Sequence, residues 1–145
     1  MALLSATDQQ ALRDAFAPMT RPVTILFFTQ AIGCETCDET QQILREITDL
    51  TPQVTIEEVN LVLDGERAAS YGIDRAPGLV LLAGDEKEDT RIRMLGAPAG
   101  YDFMSLIDAI LLVSGASPQH LSAETEARLA GLTEPLTVQV FVTPT

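Results

Sequence analysis

The sequence predicts an α/β domain built on a central four-stranded mixed sheet, and three observations lead to it. The run 23–28 (Val-Thr-Ile-Leu-Phe-Phe) is β-branched, aromatic and almost wholly apolar, as a strand covered on both faces must be. From 34 to 50 the apolar positions Cys37, Ile43, Leu44, Ile47 and Leu50 recur near helical spacing. A second apolar strand over 79–83 precedes a turn at Gly84-Asp85 and an alternating segment, 90–95, that suits an antiparallel partner.

The remaining elements fill the order helix, then βαβαββα. Ser5 or Thr7 can cap a first helix reaching Phe16, which Pro18 to Pro22 then stop. After the helix that Thr51-Pro52 ends, 54–61 alternates as a strand. A short helix over 65–71 closes on Gly72, and a helix over 101–113 completes the unit.

The 145 residues, 46% of them hydrophobic, suffice for one ordinary core. A formal net charge of −12 repels a phosphate backbone, and no cluster of Lys and Arg with interleaved aromatics exists, so nucleic acid is excluded as a partner. The apolar stretches fall well short of the roughly 20 residues that span a bilayer. Asp8, Arg13 and Asp14 interrupt the only stretch near the start that resembles a secretory leader, so a cytoplasmic protein without membrane association is expected.

Chemistry concentrates in Cys34-Glu35-Thr36-Cys37. The two cysteines are the chain's only ones, and their spacing at a helix start lets the sulfurs meet, which points to redox cycling. Zinc normally needs four ligands, whereas the chain adds only a distant His120, so no metal and no other cofactor is expected. The helix dipole favours a thiolate at Cys34 as nucleophile, leaving Cys37 to resolve. Glu35, Asp38 and Glu39 oppose that dipole and would make the couple reducing; equally, they are the acids that suit any first helical turn. Two further features stay open: Gly96 and Gly100 could offer backbone N–H groups to a glutathione carboxylate or form a plain turn, and Arg75 could meet an acidic substrate or simply be solvated.

A CxxC after a buried strand, followed by Tyr71-Gly72-Ile73-Asp74-Arg75-Ala76-Pro77, resembles the thioredoxin superfamily. The resemblance implies a thioredoxin-like fold and a cis peptide at Ala76-Pro77, whose backbone would bind an extended substrate. From residues alone, a proline opening a strand is ordinarily trans. The segments 33–38, 71–77 and 96–100 are similar to the protein disulfide oxidoreductase family, glutaredoxin-like chains with two thioredoxin-fold units in tandem. That likeness implies a thiol-disulfide oxidoreductase acting on protein disulfides and drawing on a reductase donor. The rival expectation is a thioredoxin-like interaction or scaffold domain with slow redox turnover.

Residues 1–115 are thus expected to form the unit carrying the CxxC, and 116–145 a linker, helix and first strand of a second, truncated unit. Arg21-Pro22-Val23-Thr24-Ile25 matches Glu134-Pro135-Leu136-Thr137-Val138, each after a short helix, and the chain stops before a second CxxC. The segment 136–142 alternates as a strand without a neighbour, so a homodimer through the C-terminal segment is expected.

Overall fold

The computed structural model describes residues 3–117 and 120–143. Its sheet runs in the order β2-β1-β3-β4, with β1 (Val23–Thr29) central. β1 pairs in parallel with β2 (Val54–Asn60) and antiparallel with β3 (Gly78–Ala83), and β3 pairs antiparallel with β4 (Glu88–Leu95). The helices are α1 (Ala6–Phe16), α2 (Cys37–Thr48), α3 (Gly65–Ser70), α4 (Tyr101–Ser114) and α5 (Ala123–Ala130).

The continuous apolar runs of β1 and β3 are explained by layers on both sheet faces. Ile25, Phe27, Leu79 and Leu81 point to one face, where they pack with Phe16 of α1, Leu44 and Ile47 of α2 and Ile107 and Ile110 of α4. Leu26, Phe28, Val80 and Leu82 point to the other, against Val59, Ala68 of α3 and Ile73. Burying each of these large side chains contributes about 1.5–3 kcal/mol, so the two central strands anchor the unit.

At the sheet end remote from the cysteines, the chain before β1 closes α4. Thr20 and Arg21 donate their N–H groups to the Ser114 carbonyl, and Arg21 Nε donates to the Val113 carbonyl at 2.6 Å. A cation on those last carbonyls also matches the helix dipole. Gly115 follows at φ 79°, and a Cβ there would stand 2.6 Å from Thr20 Oγ1.

Three expectations change. The helix begins at Cys37, not Cys34, because residues 34–36 form a turn that leads into it. Strict alternation of β4 is broken opposite Leu81, where Thr90 Oγ1 donates to the Leu81 carbonyl at 2.6 Å and Arg91 takes φ 64°. The expected strand 136–142 does not form among the described residues: α5 is present, but the sheet contains none of 136–142. Val138, Val140 and Phe141 are 82%, 79% and 90% exposed. A strand is defined by its ladder, and alternation cannot supply the neighbour.

Candidate active site

β1 leads straight into the site. Beyond Thr29, Gln30 Nε2 donates to the Ile32 carbonyl at 2.9 Å and fastens the loop, while Gly33 takes φ 76° to turn the chain toward Cys34. Cys34 and Cys37 form a disulfide with Cα atoms 5.5 Å apart. Cys37, the first residue of α2, is only 5% exposed and belongs to the core, whereas Cys34 is half-buried at its edge. One turn on, the buried Thr40 Oγ1 donates to the Thr36 carbonyl at 2.8 Å and ties the dithiol turn to the helix.

The second wall comes from the start of β3. Phe28 pairs with Gly78, so residues 76 and 77 sit at the sheet end from which the CxxC loop departs. The Ala76-Pro77 peptide is cis. The Gly96 N–H donates to the Pro77 carbonyl at 2.9 Å, which joins the loop before α4 to the same wall. Glycine is required at 78: a Cβ would approach Ile73 Cγ2 to 2.9 Å and the Arg75 carbonyl to 3.1 Å.

The electrostatic surroundings are acidic. Glu35, Asp38 and Glu39 are all exposed. Arg75 does not offer a free charge, because its Nε and Nη2 contact the two carboxylate oxygens of Asp74 at 2.8 and 3.1 Å. The guanidinium holds the Asp74 carboxyl below its ordinary range. On the flank of α2 lies an open groove of about 270 Å³ between Leu4, Glu39, Ile43, Pro98 and Phe103. Among the described residues no group of three or more His, Cys, Asp and Glu side chains is placed to hold a metal ion.

Sequence reasoning singled out Cys34, Cys37, Ala76 and Pro77, and the fold brings the two segments to one sheet end. It missed Gln30 and Ile32. Ile32, two residues before Cys34, is 88% exposed, an apolar side chain offered to solvent beside the disulfide. A polar residue at the end of a buried strand was the one available signal for Gln30.

Fold and disulfide together define the class, a thioredoxin-superfamily domain of the thiol-disulfide oxidoreductases. Within it, the particular likeness is to the alkyl hydroperoxide reductase protein AhpF. The AhpF of Staphylococcus epidermidis is 30% identical over 144 residues, covering 99% of this chain, and that of Staphylococcus aureus 31% over 118 residues, covering 81%. The chain spans only 25% and 20% of those two relatives. Among solved structures, the NTD_N/C domain of alkylhydroperoxide reductase AhpF from Enterococcus faecalis superposes with a TM-score of 0.80 at 29% identity, covering 90% of this chain and 62% of that one. A protein disulfide oxidoreductase from Aeropyrum pernix gives 0.73 at 25% identity, covering 88% and 55%. No family model matches the chain.

Among the described residues no helix is long and apolar enough to cross a membrane.

Proposed function

We propose that the domain exchanges disulfides with proteins, Cys34 attacking and Cys37 resolving. The observation that carries this reading is the asymmetry of the pair: Cys37 is buried at the first position of α2, and Cys34 lies half-buried at the surface. In the reduced protein the positive end of α2 favours a Cys34 thiolate. That thiolate attacks one sulfur of a substrate disulfide, forming a mixed disulfide and expelling the other substrate sulfur as thiolate. Cys37 then attacks Cys34, re-forming the intramolecular disulfide and releasing the substrate as a dithiol, a transfer of two electrons. The backbone at Ala76 and Pro77 binds the extended substrate alongside.

Relatives that bear the name of an alkyl hydroperoxide reductase support a reducing direction, with a reductase domain as donor and a protein disulfide as acceptor. Cytoplasm is the compartment that suits such a couple. The segment 116–145 is the start of a second thioredoxin-fold unit. Ser122 caps α5 through the Thr125 N–H at 3.2 Å, as Ser5 caps α1 through the Asp8 N–H at 3.2 Å.

Insulin reduction with dithiothreitol tests the reading. The protein should accelerate precipitation of the insulin B chain, and Cys34→Ser should abolish the acceleration. Equal rates for the two proteins would replace the enzyme by a scaffold domain.

A further inference from the structure

Resting on the redox reading above, the charge around the disulfide assigns a selectivity to it. We propose that the Cys34–Cys37 site excludes anionic thiols, glutathione among them, and exchanges with sulfurs whose surroundings are neutral or cationic. Glu35, Asp38 and Glu39 stand exposed within five residues of Cys34. The one cation in the neighbouring wall, Arg75, is matched by Asp74 through two contacts. The other Lys and Arg residues lie elsewhere: Arg67 and Lys87 are on Glu57, Arg93 on Asp89, Arg128 on Glu124, Arg21 on the Val113 carbonyl, Arg13 in the last turn of α1, Arg45 in the last turn of α2 and Arg91 on β4. Of the two glycines that could offer a backbone donor to a glutathione carboxylate, Gly96 has its N–H committed to the Pro77 carbonyl.

Glutathione brings two carboxylates and one ammonium, and its reactive form adds a thiolate charge. Its attack on the oxidised site is therefore opposed by like charge, whereas a thiolate carrying an ammonium has no net charge and escapes that repulsion. The step is the same for each reagent. A thiolate attacks Cys34 Sγ, the Cys34–Cys37 bond breaks, and Cys37 leaves as thiolate. A second thiolate then attacks the mixed disulfide, releasing the dithiol protein and the oxidised reagent.

The test follows reduction of the oxidised 145-residue protein by cysteamine, 2-mercaptoethanol and glutathione, at low salt and at about 1 M, where the screening length falls to about 3 Å. Each reagent's own rate ratio between the two salts removes differences in intrinsic nucleophilicity. Cysteamine, whose reactive form has no net charge, should barely change with salt, mercaptoethanol should accelerate modestly and glutathione most, the cysteamine-to-glutathione ratio moving by about tenfold. Glu35→Gln with Asp38→Asn should remove most of that movement. The charge-matched Asp85→Asn with Glu86→Gln, in the turn at the far end of β3, should leave it in place.

A ratio independent of salt, or a distant pair that matters as much as the near pair, would overturn the selectivity while leaving the redox reading intact. Failure of mercaptoethanol to open the disulfide at any salt would remove both.

Discussion

Phe28 on β1 pairs with Gly78 on β3, and that pairing sets the candidate site, because the chain leaves β1 toward Cys34 and enters β3 from Pro77. The close approach leaves no room for a side chain at 78. Gly78→Ala should cost about 1–3 kcal/mol, since the new methyl group meets Ile73 and the Arg75 carbonyl. Denaturant unfolding measures the loss. Insulin reduction by the folded variant should fall as well, because relief of the clash displaces residues 75–77; an unchanged midpoint and rate would refute the constraint.

Alkylation of the reduced protein should label Cys34 before Cys37. Cys37 is 5% exposed and sits within the core cluster, whereas Cys34 lies at its edge. Peptide mapping after brief exposure to iodoacetamide reads the order, and preferential labelling of Cys37 would reverse the assigned roles.

Acid should unfold the protein through its paired carboxylates. Hydrogen bonds from Arg93 hold the Asp89 carboxyl below its ordinary value, and those from Arg67 do the same for Glu57. With the folded value depressed, the unfolded chain binds more protons as the pH drops, so the stabilisation present above the ordinary carboxylate range, about 4, is lost as pH falls through the folded values. The melting temperature should decline on acidification below about pH 5. Asp89→Asn should flatten that decline while lowering the plateau, and an identical pH profile for the variant would exclude the Asp89–Arg93 pair as a cause.

The 145-residue chain should self-associate through its C-terminal segment. Leu136, Val138, Val140 and Val142 are all more than half exposed, and burying each is worth about 1.5–3 kcal/mol. Light scattering should give a dimer that Val138→Lys with Val140→Lys converts to a monomer. Equal monomeric masses across a wide concentration range would defeat the expectation.

The order of elements and the site's cysteines were legible because each rests on local information. Continuous apolar runs marked β1 and β3 as strands covered on both faces, and helical spacing after Cys34 marked α2. Edges were less legible. The Cys34 turn and the β4 bulge depend on single hydrogen bonds, such as Thr90 to the Leu81 carbonyl, that periodicity does not encode. The matching of Arg75 by Asp74 was equally hidden: adjacency in sequence does not say that two side chains will turn toward each other.

By itself the sequence determined where a disulfide could form, since only two cysteines exist and their spacing admits one. It also determined the apolar strands, because burial on both faces leaves a composition that no exposed segment needs. Only the tertiary structure decided that Cys37 is buried while Cys34 is not, that the Ala76-Pro77 peptide is cis beside them, and that 136–142 lacks a place in the sheet. Those three depend on what lies across space from each residue. Burial, peptide isomer and ladder pairing are fixed by neighbours distant in the chain, and a local pattern is silent about them.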